Sequence, residues 1–512
     1  MNAGYYLTRS AKFFGEKTAF VFDGQRKSYS DLNARVNKLA NGLLGLGLKK
    51  RDRVGLLFHN SFEYVESYLA LYKAGLVWVR LNARANDKEL CKMLEDSQAK
   101  ALIYGPQFKE TGAILGSNLR WVVSRDRIDD LNYDNLIGAS SSNEPVTDID
   151  LEDISDIWYT SGTTGVPKGI MIIHRNIVTC TQLLLSDVYD IKAGDKFLTP
   201  GALSHAGSVR VLPFIARGAT CYLHSRFDPV SVFNDIERER ITDLALVPTM
   251  LVALMDHPER RNFDLSSLKR ITYGGSPMPV ERIKEAIDIF GPILSQAFGQ
   301  AESIISITHL PKEEHIPNDD PKWEKRLSST GREFPGVRVR VVNDEGQDLK
   351  PGQKGEIITR SDLVMKGYWN MPDKTSETIK NGWLYTGDIG YLDDDGYLYL
   401  VDRKNDKIIS GGLNVFPREV EEVLSAHPSV GQVSVFGKED QKWGEVITAA
   451  VVLRDGKEAN EKELIEFCKK NLSSYKSPKH IYFVDDLPKN AYGKTQRHEL
   501  KKQFKNGQNP IV

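Results

Sequence analysis

The sequence predicts an α/β protein: a large N-terminal domain of layered α/β subdomains plus a small β-module, followed by a smaller α+β domain. Three observations predict it. Helical and strand-like spacings alternate from residue 29 to about residue 310, as in mostly parallel sheets covered by helices. After Gly331 the helices stop, and short apolar runs are separated by Gly- and Asp-rich turns. A charge run, Asp402-Arg403-Lys404-Asn405-Asp406-Lys407, then divides one apolar strand from the next, and about a hundred residues follow, enough for a compact domain. The domains are therefore placed at 1–402 and 403–512, with a hinge near Asn405.

The elements follow in order. Residues 29–48 read as a helix, with Ser30 or Asp31 as cap and Leu32, Val36, Leu39, Ala40 and Leu43 at helical spacing. A buried strand at 54–58, an amphipathic helix at 63–75 and strands at 76–79, 101–104 and 121–123 come next. Residues 137–149, rich in Ser, Asp, Asn and Gly, read as a surface connection. The most apolar long stretch, 244–255, contains Pro248 and is too short to span a bilayer, so it is expected in the core. Strands at 337–342, 355–359 and 396–401 form the β-module. Beyond the charge run come a helix at 417–425, strands at 430–436 and 446–453, and a helix at 461–472.

Composition narrows the setting. Of 512 residues, 40% are hydrophobic and 27% charged, ordinary values for a globular protein, and a net charge of −1 gives no reason to expect nucleic acid. Cys91, Cys180, Cys221 and Cys468 are scattered without metal-ligand spacing, which fits a reducing, cytoplasmic location. The first residues lack the basic start and apolar run of a signal peptide, and Pro510-Ile511-Val512 is no peroxisomal address.

The chemistry begins at Tyr159-Thr160-Ser161-Gly162-Thr163-Thr164-Gly165-Val166-Pro167-Lys168-Gly169. Glycines let backbone N–H groups approach an anion, hydroxyls add donors, and Lys168 adds a compact positive charge. The pattern suits a polyphosphate. It is not a Walker A loop, because the spacing differs and no Ser or Thr follows the lysine.

Further segments follow: Phe298-Gly299-Gln300-Ala301-Glu302, Tyr385-Thr386-Gly387-Asp388, Arg403, Gly411-Gly412-Leu413-Asn414, and Lys489 to Arg497 with Gly493-Lys494 inside it. In this order and spacing the set resembles the ANL adenylate-forming superfamily, and within it the AMP-forming acyl-CoA synthetases, over nearly the whole chain. The resemblance implies two steps. A carboxylate attacks the α-phosphate of ATP to give an acyl-adenylate and pyrophosphate, and the thiol of CoA then displaces AMP. It also implies a mobile C-terminal domain that rotates between the steps.

The resemblance assigns roles residue by residue. Thr160, Ser161, Gly162, Thr163, Thr164, Gly165 and Lys168 would hold the phosphates. Glu302 matches the Mg2+-binding acid, with Thr163 as a second protein oxygen. Asp388 and Arg403 match the ribose contacts. Gly274, Gly275 and Ser276, with Gln296, Ala297, Phe298 and Gly299, match the walls around adenine. Lys494 matches the lysine that bridges the carboxylate and α-phosphate, and His205 the residue beside the acyl carboxylate. Gly411 and Gly412 would border the pantetheine tunnel, and Trp443, Tyr475, Lys476 and Lys479 would meet the CoA nucleotide. Ala301 stands where the family usually has Thr, and Asn405 where it has Asp or Lys.

Gly299 occupies the place of a blocking tryptophan in acetate-using relatives, so the acid is expected to exceed propionate. Walls at Val209, Val247, Met250, Gly275, Ser276, Gly299 and Ile304 favour a fatty, alicyclic or aromatic acid. No Asp between residues 201 and 208 would hold a substrate amine. Alternatives are a ligase loading a carrier protein, a luciferase-like oxygenase, and a nucleotide-binding regulator without catalysis. Homodimers are common among such enzymes; the sequence specifies no interface and no integral membrane segment.

Overall fold

The computed structural model describes residues 2–128, 131–160, 168–404, 406–410, 413–440, 443–489 and 495–505. Ser161, Gly162, Thr163, Thr164, Gly165, Asn405, Gly411, Gly412 and Lys494, singled out above, lie outside these segments. Among the described residues no helix is long and apolar enough to cross a membrane.

The N-terminal helices show why local sequence chooses its elements. Tyr29–Gly45 is capped by Ser28, whose hydroxyl accepts from Asp31 N–H at 3.0 Å, two residues before the expected cap. It ends earlier than expected, before Gly47 at φ +92°. Phe62–Ala74 is capped by Ser61 and stopped by Gly75 at φ +68°. It is not amphipathic as expected. Every residue but Glu63 is buried, because helix Tyr29–Gly45 covers one side and the sheet strands Arg53–Leu57 and Val77–Arg80 lie on another.

Two mostly parallel sheets form the large domain. Among the described residues the first has seven strands, in the order Gly367–Tyr368, Lys168–Ile173, Ile154–Thr160, Val77–Arg80, Arg53–Leu57, Ala101–Tyr104, Trp121–Val123. The last five run parallel, and the first two are antiparallel additions. The second sheet has nine strands. Its parallel centre joins Leu294–Phe298, Arg270–Gly274, Asp243–Leu246, Lys196–Thr199 and Thr220–Leu223, and then the N-terminal strand Thr18–Phe22. Helix Tyr5–Phe14 and the hairpin of Thr18–Phe22 with Gln25–Ser28 have no counterpart in the sequence reading. The apolar stretch 244–255 is core as expected, but it splits: Asp243–Leu246 is a strand, and Pro248 opens the helix Pro248–Asp256.

The β-module is an antiparallel sheet of Arg338–Val342, Gly355–Arg360, Trp383–Leu392, Ile379–Lys380 and Leu398–Arg403. Arg403 is the last residue of its strand, so the boundary drawn after Asp402 cuts that strand by one residue. The C-terminal unit packs helices Pro417–Ser425 and Glu461–Asn471 on strands Val430–Asp440 and Gly444–Leu453 around Val420, Leu424, Val435, Ile447 and Leu464.

An ion pair within the seven-stranded sheet also reaches the second. Arg80 ends its strand and bonds Asp156 at 2.7 Å, both side chains fully buried. The Tyr72 hydroxyl (3.1 Å) and the Ser155 hydroxyl (2.6 Å) complete the carboxylate's shell. The guanidinium lies over the rings of Trp78 (3.9 Å) and Trp158 (4.4 Å). Its Nη1 crosses to the second subdomain, donating to the His205 carbonyl at 3.1 Å and the Ser208 hydroxyl at 2.8 Å. Replacing Asp156 with Ala leaves a buried unpaired cation, so D156A is expected to lose about 3–5 kcal/mol, and pairing it with R80M to recover much of that. Urea midpoints of the two variants check this; a double variant no more stable than the single one contradicts it.

Candidate active site

Parallel strands put their C-terminal ends on one edge of a sheet, where loops gather into clefts. In the nine-stranded sheet that edge carries the turn Leu203–Gly207 with His205, Val247, Gly275 and Gly299. In the seven-stranded sheet it carries Arg80 and Thr160. The bond from Arg80 to the His205 carbonyl brings the two edges face to face. Thr160 pairs with Lys168 across the antiparallel strands Ile154–Thr160 and Lys168–Ile173 at this edge.

Tyr368 ties the expected phosphate and metal residues together, and sequence reasoning missed it. Its hydroxyl donates to Glu302 Oε1 at 3.0 Å, and Lys168 Nζ lies 5.9 Å from its ring centre. Burial, then the charge on Glu302, pushes its phenol well above the usual range, while the charge of Arg403 opposes this. Lys168, Glu302 and Arg403 thus share one neighbourhood. The backbone fixes it: Met365 N–H donates to the Glu302 carbonyl (2.8 Å), Gly367 and Tyr368 pair with Met171 and Ile170, and Trp369 N–H reaches the Gly169 carbonyl (2.7 Å). The available signal was the Gly-Tyr pair four residues before Pro372.

Asp388 and Arg403 face each other across strands Trp383–Leu392 and Leu398–Arg403, with Arg403 Nε 2.6 Å from Asp388 Oδ1. Gly387 (φ +70°) supplies the turn that aims the acid, and Asp388 N–H is held by the Thr386 hydroxyl at 3.1 Å. The expected ribose pair is therefore an ion pair with its acid buried and its arginine open on one side.

The expected adenine walls divide by face. Gly274 pairs in register with Ala297, at the strand ends. A Cβ on Gly274 would lie 2.3 Å from the Ala297 carbonyl oxygen, so backbone approach requires glycine there, and Gly275 (φ +91°) turns the chain toward Ser276. Gln296 points to the opposite face, where its amide oxygen lies 3.2 Å from the Tyr273 hydroxyl in a buried cluster with His315; its side chain positions the strand. Phe298 is half-buried against Val341, Ile357 and Leu398 of the β-module.

Gly299 has a backbone reason beside the one the sequence offered. A Cβ there would sit 2.2 Å from the Ile305 carbonyl carbon and 2.4 Å from Ser306 N. Its missing side chain points into backbone, so close packing of the turn over residues 300–306, where Ile304 (φ +43°) and Ile305 (φ +54°) are left-handed, demands the glycine. A void of about 10 Å³, room for one water, lies under the face of Ser295 and Ala297, walled by Leu184, Val188, Tyr189, Arg210, Thr272 and Ile305. Val209 and Ile304, two of the expected walls, are fully buried in the core.

His205 sits at a kink (φ −120°, ψ −136°) with Nδ1 2.7 Å from the Ser204 hydroxyl. Burial, followed by the charges of Arg80 and Arg84, lowers its pKa to about 3, so the ring is neutral at physiological pH. In the C-terminal unit, exposed Trp443 and Lys479 come together (Nζ 5.8 Å from the ring centre), and Lys476 stands by exposed Tyr475 while bonding Glu419. Among the described residues no group of three or more His, Cys, Asp or Glu side chains forms a metal cage.

Two family models match. AMP-binding enzyme covers residues 7–369, and AMP-binding enzyme C-terminal domain covers 419–494. A feruloyl-CoA synthase of Amycolatopsis sp is 36% identical over 98% of this chain and 99% of its own length. A medium/long-chain-fatty-acid–CoA ligase of Mycobacterium tuberculosis is 35% identical over 98% and 90%. The solved amide bond synthetase of Marinactinospora thermotolerans superposes with a TM-score of 0.89 at 30% identity, covering 98% of this chain and all of its own.

A neutral, half-buried histidine ties stability to pH. The folded pKa of His205 lies below the unfolded value near 6.5, so the unfolded chain binds more protons between the two. Stability from this residue is full above about pH 6.5 and is lost as pH falls toward 3. His205→Gln is expected to flatten the fall of the urea midpoint between pH 7 and pH 5; an unchanged slope contradicts the assignment.

Proposed function

The chain belongs to the AMP-binding enzymes, as an AMP-forming acid–CoA ligase of the ANL superfamily, and from that premise we propose how its residues divide the work. It activates a carboxylic acid with ATP and passes the acyl group to CoA. A carboxylate oxygen bonds the α-phosphorus while the bond to pyrophosphate breaks; the CoA sulfur then bonds the acyl carbon while AMP leaves. The acid is fatty, alicyclic or aromatic and larger than propionate.

The obstacle is charge. Acid and triphosphate are both anions, and one such pair at about 4 Å repels by roughly 4 kcal/mol at an effective dielectric of 20. In this reading Lys168 and the hydroxyl-rich segment 160–165 neutralise the β- and γ-phosphates, and Lys494 brings a cation to the carboxylate and α-phosphate. Asp388 accepts from the ribose hydroxyls, with Arg403 beside it. Neutral His205 lies at the acyl carboxylate without adding a second proton donor of its own charge. Gly411, Gly412, Trp443, Tyr475 and Lys479 take the CoA side.

The residues fit Mg2+. A single half-buried carboxylate, Glu302, oriented through one oxygen by Tyr368, is the sparse protein contribution a hard cation takes when phosphates and waters complete its shell, with Thr163 as a second oxygen. Bound there, the ion would neutralise phosphate charge.

The observation that most supports the reading is the grouping of Lys168, Glu302 and Arg403 around Tyr368, next to Asp388. Acid-dependent exchange of labelled pyrophosphate into ATP, repeated with CoA to follow thioester, tests it; absence of exchange with every acid of a broad panel would sink it. Lys494→Ala should cut adenylation steeply and leave thioester formation from supplied acyl-adenylate largely intact; equal loss of both refutes that role. Tyr368→Phe should raise the Mg2+ concentration for half-maximal exchange by roughly ten-fold or more, since one hydrogen bond to a charged group is worth about 1.5–3 kcal/mol. An unchanged Mg2+ requirement removes Tyr368 from the metal's surroundings.

A further inference from the structure

The last strand of the β-module ends in two neighbouring residues with different tasks. Arg403 pairs in register with Asp388, and Asp402 with Ile389. Side chains alternate along a strand, so Arg403 turns toward Asp388 while Asp402 turns to the other face. Only 3% of the Asp402 side chain is exposed there. A carboxylate so placed needs hydrogen-bond donors and a cation.

The C-terminal unit supplies both. Arg418 N–H, in the first turn of helix Pro417–Ser425, donates to Asp402 Oδ2 at 2.8 Å. The acid thus sits at the positive end of a helix that has no side-chain cap of its own. Arg497, which opens helix Arg497–Lys505, donates through Nη1 to Asp402 Oδ1 at 3.0 Å.

The same guanidinium is also held from within its own unit. Nη2 and Nε engage the two oxygens of Glu421 (2.7 and 3.2 Å), and Nη1 reaches Asp406 at 2.9 Å. Glu421 in turn accepts from Val435 N–H at 2.8 Å. Glu421 and Asp406 lie beyond the expected hinge near Asn405, on the same side as Arg497, whereas Asp402 lies before it. The bond to Asp402 is the one that fixes this guanidinium against the large domain. Losing it leaves Arg497 with two carboxylates, so the small unit keeps its own clasp.

Position along the chain gives the pair its meaning. Lys494 precedes Arg497 by three residues, at most about 10 Å of chain. Lys489 pairs with Thr495, and Gln496 N–H donates to the Pro488 carbonyl at 2.7 Å, so the residues just after Lys494 are anchored as well. A cation that must meet two anions loses much of its effect when displaced by an ångström.

Resting on the ligase reading above, we propose that Asp402 is a positioning residue for adenylation: through Arg497 it holds the chain that carries Lys494 against the strand that carries Arg403. Asp402 touches neither ATP nor the acid. It serves the first half-reaction and not the second, because in this reading Lys494 acts only in the first.

Asp402→Asn is the clean variant: its amide oxygen can still accept from Arg418 N–H, but the charged pair with Arg497 is gone. The whole enzyme is assayed with the best substrate among octanoate, cyclohexanecarboxylate and benzoate. D402N is expected to lower acid-dependent pyrophosphate exchange by roughly 10- to 100-fold in kcat, the worth of a charge-assisted hydrogen bond, with little change in KM for ATP. Thioester formation from supplied acyl-adenylate should stay near the wild-type rate. Asp402→Glu, which keeps the charge, should recover most of the exchange, and Asp406→Asn, which removes a bond inside the small unit, should leave the ratio of the two half-reactions unchanged. Equal loss of both half-reactions in D402N, or no loss of exchange, overturns the proposal. Trypsin cleavage after Lys404 or Lys407 reads the same contact without catalysis: D402N should be cut several-fold faster at an unchanged urea midpoint, and a rate equal to wild type overturns the proposal too. If wild type shows no exchange with these acids or a wider panel, the ligase reading falls instead, and the trypsin rate decides whether Asp402 holds the two units together.

Discussion

A two-residue strand holds the cleft together. Gly367 and Tyr368 add to the edge of the seven-stranded sheet, and the backbone around them reaches Glu302 on one side and Gly169 on the other. This stitches a loop of the nine-stranded sheet to the strand that begins at Lys168. Gly367 (φ +144°) has no room for a side chain, since a Cβ would meet Thr375 at 2.7 Å. The cation, the acid and the aromatic ring are thus set by main-chain hydrogen bonds, which hold positions more rigidly than long side chains do. Pre-aimed charge of this kind is what the joining of two anions requires.

The Arg80–Asp156 pair plays the complementary part at the other wall. A buried ion pair is rarely a net source of stability, because desolvation offsets the attraction. Here it does geometric work: one guanidinium satisfies a carboxylate in the first sheet and a carbonyl at the kink of His205 in the second. Two indole faces shield it from competing water. The kink would otherwise expose an orphan carbonyl at a subdomain joint.

Much was legible because local rules dominated. The strands Ala101–Tyr104 and Trp121–Val123 and the helix Pro417–Ser425 begin and end where their apolar runs do. The readings that shifted share a cause. Helix Phe62–Ala74 is buried all round because neighbours cover both faces, which spacing within one segment cannot reveal. Thr18–Phe22 joins a sheet whose next strand is about two hundred residues away, at Thr220–Leu223, so no nearby pattern announces it. Gly299 must be small because residues 305 and 306 come back over it, a contact that no local pattern announces.

The sequence alone determined the kinds of chemistry: a phosphate-seeking segment with its lysine, an acid after an aromatic turn, an acid ending a strand, a glycine-flanked lysine near the end. Residue type, order and spacing suffice there, because each motif is short and its donors lie within a few residues. Only the tertiary structure decided which residues share the cleft. Tyr368, Glu302, Arg80 and His205 lie far apart along the chain and carry meaning only once sheet register and helix packing bring them within reach. Charge acts over a few ångströms, and that proximity is a property of the fold.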